Sequence, residues 1–326
     1  RGKLLNALIY VLRCAIKLRR RPTRGAHTLY TSAPPFLPVV GWFYHKVLGH
    51  PYSCIVYDIY PDVAVRLGVI GARHALTRLW DFLNARVWRR ASAIIVLSEP
   101  MGRLVCQKHP DLAPKVFVVP SWADPNTIRP LPKDQNWFAK KYQLDRRFTV
   151  LYSGNLGRCH DAETLAAAIA LLAEVDMQFV FVGNGVGYKF LQKELAGCDH
   201  VLFLPYQPPE VLPYSLTACD VSVVSLRHNV GDVVAPSKFY GMLAAGRPVA
   251  AICADDCYLK PLIEENQCGR TFVNGDAAGL AAFWRSLQAD PALVEAMGQR
   301  ARQLLLERFT LQHAVQGYLQ ALGLAS

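Results

Sequence analysis

From Phe148 onward the chain alternates two hydrophobic patterns. The short runs FTVLYS, MQFVFVG, HVLFLP, DVSVVSL, PVAAIC and GRTFV are apolar at most positions and rich in β-branched and aromatic residues. Strands read that way when both faces of a parallel sheet are covered. Between them lie stretches with helical spacing; in DAETLAAAIALLAEV, Leu165, Ala168, Ile169 and Leu172 keep the 3.6-residue period. KFLQKELAG, PEVLPYSLTA, the segment opening at Pro236 and YLKPLIEENQ continue the alternation. Six strands separated by helices predict a doubly wound parallel α/β sheet. HTLYT, SCIVYD, SAIIVL and KVFVV repeat the theme earlier, without the opening strand and phosphate-binding turn usual in such a domain. PSWADPNTIRPLPKDQN, with four prolines, reads as a linker. The expected organisation is a first Rossmann-like domain over 1–128 lacking its first strand or strands, a second over 129–309, and a C-terminal helix over 310–326 that packs back toward the first.

Composition changes this picture little: with 52% hydrophobic and 19% charged residues the chain is globular. Charge changes it more. The net charge is +11, and residues 1–57 hold nine Lys or Arg and no Asp or Glu. There LLNALIYVLRCAIKLRRR sets Leu4, Leu8, Leu12, Ala15 and Ile16 near one helical face and ends in Lys17, Arg19, Arg20 and Arg21. Such a helix either lies on an anionic membrane surface or packs into the core with a solvated basic end. No apolar run approaches the length of about 20 residues that spans a bilayer. Interleaved aromatics and a recognised nucleic-acid module are both missing, so nucleic acid is not an expected partner. The nine scattered cysteines read as buried thiols of a reducing compartment, and Cys253-x-x-x-Cys257 lacks a second ligand pair, so no metal is expected.

Ligands of open α/β sheets sit at the carboxyl ends of the strands, so the loops there carry the candidate chemistry. After FTVLYS comes GNLGRCH, where Gly154, Asn155 and Arg158 precede a helix N-terminus; close backbone approach, free N–H groups and a guanidinium suit a phosphate. An ordinary Gly-rich turn with a surface Arg is the bland alternative. After MQFVFVG, the sequence GNGVGY around Gly183 is a weak dinucleotide-like turn. After DVSVVSL, Pro236 suits a first helical position and sets Ser237 and Lys238 in the first turn, where a cation opposes the helix dipole unless an anion is bound. A solvated Lys238 is the alternative. Gly246 and Pro248 end that helix.

TSAPPF, YDIYPD, AIIVLSEPM, VPSWAD, YSGNLGR, FVGNG, FLPYQPPEVLPYSLTACDVSVVSL, PSKFYGMLAAGRPV and CGRTF occur in one order along the chain. In that order they resemble the GT-B retaining glycosyltransferases of family 4, in the WbuB-like and colanic-acid branch. The resemblance implies a GT-B fold with an acceptor domain followed by a nucleotide-sugar domain, and a cytoplasmic enzyme or one peripheral on the inner membrane face. It implies a nucleotide-diphosphate sugar as donor, no separate cofactor, and a glycan or polyprenyl-diphosphate-linked acceptor. Gly154, Asn155, Arg158, Gly183, Pro236, Ser237 and Lys238 would meet the donor, and Tyr206 and Gln207 its base. Thr31, Ser32, Pro34, Asp58 and Glu99 would face the acceptor or the transferred sugar, with Asp58, Arg158 and Lys238 in the chemistry. The common family pattern has two glutamates eight residues apart; Val233 and Gly241 stand there, with Asp232 out of register, and Tyr57 or Asp58 replaces a cleft His. A chain that opens at Arg1 without a Met reads as a fragment, for which inactivity is an open alternative although its parent is an enzyme. A non-catalytic nucleotide-sugar-binding protein, a GT-B sugar-nucleotide epimerase and a nicotinamide dehydrogenase remain as alternatives.

Overall fold

Each apolar run expected to be a strand pairs in parallel with its neighbours. The computed structural model describes residues 2–20 and 26–324. They form two units: the residues up to Pro120 with Asp232–Ala235 and those from Ala314 onward, and a second from Ser121–Gly231 with Pro236–His313.

In the first unit, β1 (Thr28–Thr31), β2 (Tyr52–Val56), β3 (Ile94–Val96) and β4 (Val116–Val118) lie in sequence order, all parallel. Helices α1 (Gly2–Arg20), α2 (Leu37–Leu48), α3 (Asp62–Arg66), α4 (Ala75–Arg90) and α5 (Glu99–Lys108) connect or flank them. Every residue of β2 and β3 is buried, as the unbroken apolar runs require. On α1, Leu12 and Ile16 are exposed, contrary to a core-packed helix, while the Ala15 carbonyl accepts from Tyr44 Oη at 2.7 Å. Arg21 and the side chains of Leu4, Leu8, Arg19 and Arg20 lie outside the described residues.

The second unit holds β5 (Phe148–Ser153), β6 (Met177–Val182), β7 (Val201–Leu204), β8 (Val221–Ser225), β9 (Val249–Ile252) and β10 (Gly269–Phe272). Their order is β10-β9-β8-β5-β6-β7, parallel throughout. The chain winds outward from β5 in one direction and from β8 in the other, so the switch point lies between those two strands. Its helices are α6 (Trp137–Lys141), α7 (Glu163–Ala170), α8 (Val186–Glu194), α9 (Leu212–Thr217), α10 (Lys238–Ala244), α11 (Leu259–Glu264), α12 (Ala277–Ala289) and α13 (Pro291–Arg308). Trp284, Phe179, Leu165, Ile169 and Leu191 fill the core on one face of this sheet.

Two helices differ from the sequence expectation. The pattern of α7 runs to Val175, but the helix ends at Ala170 because Leu172 N–H turns to Ile169 O and Val175 N–H to Leu172 O, tighter three-residue bonds that lead into β6. Leu172 stays buried nonetheless. Helix α10 starts at Lys238 and not at Pro236; Pro236 instead offers its carbonyl to Phe239 N–H at 3.1 Å. Its end follows the expectation. Gly246 takes a φ of 62°, and a side chain there would meet Pro130 at 2.8 Å.

The Pro-rich segment packs with the second unit because Arg302 gathers it: its guanidinium donates to the carbonyls of Pro125, Ile128 and Ala244, each at 2.7 Å. A final helix, α14 (Leu311–Ala321), places Ala314 and Ala321 against Ile55, Ile95 and Val119 in the first unit. Arg302→Ala strips three carbonyls of a charged donor at once, so it is expected to destabilise the protein by about 2–4 kcal/mol. Denaturant unfolding followed by fluorescence checks this; a change below about 0.5 kcal/mol would show the staple to be idle.

Candidate functional site

The carboxyl ends of β5 and β8 flank the switch point, and the loops leaving them are tied together. Arg227 N–H donates to Cys159 O at 2.9 Å, and the Arg227 guanidinium meets Glu163 at 2.8 Å. His160 Nδ1 sits 2.5 Å from Ser225 O. A carbonyl only accepts, so Nδ1 carries the proton and Nε2 keeps its lone pair. Burial, with the Lys238 charge second, pushes the His160 pKa down to about 3, so the ring is neutral.

At the centre is Lys238. Its Nζ donates to Tyr152 Oη at 2.5 Å and to Asn155 O at 2.7 Å, and lies 4.2 Å from the Tyr152 ring centroid. Tyr152 Oη donates its own hydrogen bond to Asn155 O at 3.2 Å, and Tyr188 Oη donates to Gly154 O at 3.1 Å. The backbone of Gly154 and Asn155 is thus held by three side chains. Those hydrogen-bond acceptors of Lys238 are neutral oxygens, and burial pulls its pKa from the ordinary Lys range down to about 7. A cation half removed from water and bonded to neutral groups would be stabilised by an approaching anion.

The structure brings Gly154, Asn155 and Lys238 into one cluster and puts other expected residues in different settings. Arg158 is exposed on the same loop, and Ser237 is exposed before α10, with Pro236 buried beside it. Tyr206 is exposed beyond β7, and the Gln207 amide donates to Pro205 O at 2.8 Å. Gly183 donates its N–H to Leu204 O at 2.9 Å, and a side chain there would meet Gly154 O at 2.4 Å. Its lack of a side chain therefore serves loop-to-loop packing; Leu156 N–H to Asn184 O at 3.0 Å joins the same two loops. The α7 start, expected to offer free N–H groups, is closed by the chain itself. Asp161 accepts from Thr164 N–H at 2.9 Å, and Glu163 accepts from Ala162 N–H at 3.1 Å. Tyr152, Tyr188 and His160 are the participants that sequence reasoning passed over. His160 stands inside the GNLGRCH motif, and Tyr152 ends the β5 pattern as an apparent core residue.

In the first unit, Asp58 follows β2. Ser32 Oγ accepts from Tyr57 N–H at 2.9 Å and Asp58 N–H at 3.4 Å, which joins the Thr31–Pro34 turn to the Asp58 loop. Thr31 Oγ1 donates to Ala33 O at 2.8 Å. Burial raises the Asp58 pKa. Beside it is a small cavity of 30 Å³, walled by Phe36, Trp80 and Tyr60. Trp80 stacks on Phe36 at 4.4 Å and on Tyr60 at 5.4 Å. Glu99 lies apart from these residues, exposed at the first position of α5, where a carboxylate complements the helix dipole. The segment Asp232–Ala235 also belongs to this unit: Ile59 N–H donates to Val233 O at 2.9 Å, and Asp232 pairs with both terminal nitrogens of Arg66. Val233 is fully buried there, and a side chain at Gly241 would meet Leu216 Cδ1 at 3.3 Å. Neither position presents a carboxylate.

A family model described as glycosyl transferases group 1 matches residues 133–304, more than half of the chain and all of the switch-point cluster. The chain belongs to this family. Among curated relatives it is 25% identical over 269 residues to the probable glycosyltransferase WbjE of Pseudomonas aeruginosa, covering 82% of this chain and 67% of that one. It is 29% identical over 199 residues to the putative colanic acid biosynthesis glycosyl transferase WcaI of Escherichia coli, covering 60% of this chain and 45% of WcaI. It therefore spans two thirds of the first relative and under half of the second. Among solved structures, HepE of Anabaena in complex with UDP and glucose superposes with a TM-score of 0.76 at 18% identity, covering 96% of this chain and 81% of HepE. The fold of this group 1 glycosyltransferase is GT-B, with an all-parallel α/β sheet in each unit.

The Lys238 pKa ties stability to pH. The unfolded chain holds this proton up to about pH 10.4, whereas the native state releases it near 7. Between those values the unfolded state binds more protons, so native stability rises with pH across that window. The unliganded thermal midpoint should gain a component from pH 7 to pH 9 that Lys238→Met lacks. Parallel midpoint-versus-pH curves for the two proteins would refute the buried-cation assignment.

Proposed function

We propose that the protein is a retaining, metal-independent glycosyltransferase of the family 4, hexosyltransferase type. It moves a sugar from a nucleotide-diphosphate donor to a glycan or polyprenyl-diphosphate-linked acceptor in cell-surface polysaccharide synthesis. The observation that carries this reading is Lys238, a cation held by neutral oxygens at the switch point of the second unit. Occupation of HepE by UDP and glucose in a similar fold supports a nucleotide-sugar ligand. The name of WcaI, a putative colanic acid biosynthesis glycosyl transferase, supports polysaccharide synthesis, and that of WbjE supports glycosyl transfer.

In the proposed transfer, the bond between the anomeric carbon and the diphosphate oxygen breaks, and its electron pair leaves with the diphosphate. Lys238 and Arg158 meet that growing negative charge, and a preorganised cation does so without reorganising at the moment of reaction. Gly154, Asn155, Ser237 and Pro236 bound the diphosphate, and Tyr206 and Gln207 lie toward the base. The acceptor hydroxyl bonds to the same face of the anomeric carbon and gives up its proton. Asp58, with its pKa raised by burial, is the group proposed to take that proton. Ser32, through Asp58 N–H, positions its loop. Thr31, Pro34 and Glu99 lie on the acceptor side. The enzyme works in the cytoplasm, peripheral on the inner membrane face, with the exposed apolar residues of α1 among its contacts.

A second reading, a non-catalytic nucleotide-sugar-binding protein, is favoured by one observation: Val233 and Gly241 leave the usual carboxylates out. A thermal-shift panel of UDP, GDP, ADP and their sugars, followed by donor turnover with and without acceptor, separates the readings. Transfer only with acceptor supports a transferase, conversion without acceptor an epimerase, and binding without turnover the second reading. Lys238→Ala and Arg158→Ala should each lower turnover more than tenfold with the fold intact, about 1.4 kcal/mol or more of lost transition-state stabilisation. Near wild-type turnover in either variant sinks its assignment.

A further inference from the structure

On the first unit, α2 and α4 pack side by side and leave a groove of 690 Å³. Trp42 and Lys46 line it from α2, and Phe82, Arg86, Arg89 and Arg90 from α4. Among the described residues that line it there is no carboxylate. Arg89 is engaged outside the groove lining, 2.7 Å from Asp111. Lys46 and Arg86 rest on ring faces, at 5.6 Å from Trp42 and 4.5 Å from Phe82. A guanidinium stacked by its face keeps its in-plane N–H groups for an anion.

The two helices that form the groove also expose apolar side chains. Phe43, Val47 and Leu79 are each more than half exposed, as is Phe82. Phe43 and Val47 are one turn apart on α2, and Leu79, Phe82 and Arg86 follow one another at helical spacing on α4. Single exposed apolar residues are ordinary, but a group of them on the two helices that form a cationic groove marks an interaction surface. The charge selects the partner: four cations, Lys46, Arg86, Arg89 and Arg90, line the groove, with no Asp or Glu among the described lining residues. An anionic bilayer matches both parts, since phosphates meet the cations, apolar side chains reach the acyl boundary, and Trp42 sits at headgroup level.

We propose that the α2–α4 face docks on an anionic lipid bilayer, with one headgroup phosphate held between Lys46, Arg86 and Arg90 and with Phe43, Val47, Leu79 and Phe82 at the acyl boundary. The proposal rests on the membrane part of the preceding reading and is independent of its donor chemistry.

Vesicle flotation of the full chain tests it, with phosphatidylcholine alone or mixed with phosphatidylglycerol. Wild type should float with the mixed vesicles and not with neutral ones. Each cation removed should lower partitioning roughly fivefold, so Lys46→Glu with Arg86→Glu should lower it more than tenfold. Phe82→Ser, which leaves the charge untouched, should lower it several-fold. Circular dichroism confirms folding; if the double variant fails to fold, Arg86→Gln and Phe82→Ser carry the test. Wild-type flotation of these variants overturns the proposal and assigns any membrane contact to α1. Equal binding to neutral vesicles overturns it as well. A dimer in sedimentation that Phe82→Ser dissolves, without lipid dependence, gives the face to a second copy and also overturns it. Donor turnover in detergent should be unchanged in all of these variants.

Discussion

The second unit is organised around one costly arrangement, the ammonium of Lys238 half withdrawn from water and bonded to neutral oxygens. A surface lysine would simply stay solvated. Here Tyr152 and the Asn155 carbonyl hold the charge in place, and Tyr188 and the opposing 183–185 loop hold that carbonyl's own strand of backbone. The doubly wound strand order makes this possible, because only at the switch point do adjacent strands send their loops apart and leave room between them. An unpaired cation opposes folding at neutral pH, and an arriving anion relieves the opposition. Binding energy and native-state destabilisation are here two sides of one electrostatic term.

The strands were legible in the sequence because parallel sheets covered on both faces need unbroken apolar runs, and no other element of that length does. Helix limits were less so. The period of α7 persists through Leu172 while its hydrogen bonds have already tightened, since burial repeats with periodicity but backbone bonding answers to where the next strand must begin. The odd placement of Lys238 was readable as a charge without a reason at a helix start. Its actual partners were not, because Tyr152 lies 86 positions away and reads as one more core aromatic.

Glycine patterns illustrate the limit of motif reading. GNGVGY looks like a phosphate turn, yet the space at Gly183 is taken by the Gly154 carbonyl and its N–H by Leu204. A glycine permits close approach without saying what approaches. Likewise the carboxylates of Asp161 and Glu163, which follow the GNLGRCH motif, satisfy the helix end that an anion would otherwise occupy. Of the donors that seemed available from the sequence, the side-chain cations remain and several backbone ones do not.

That redistribution bears on how such a site would work. A backbone nest binds an anion by geometry and is indifferent to pH, whereas a lysine with a native pKa near 7 binds according to its protonation. An anion raises that pKa, so affinity should strengthen as pH falls through the neutral range and weaken above it. The neutral His160 beside it does not compensate, because its own pKa near 3 keeps it uncharged throughout. The pH dependence of anion binding at this switch point would therefore be carried by one group, with a sign that follows from the burial of that group.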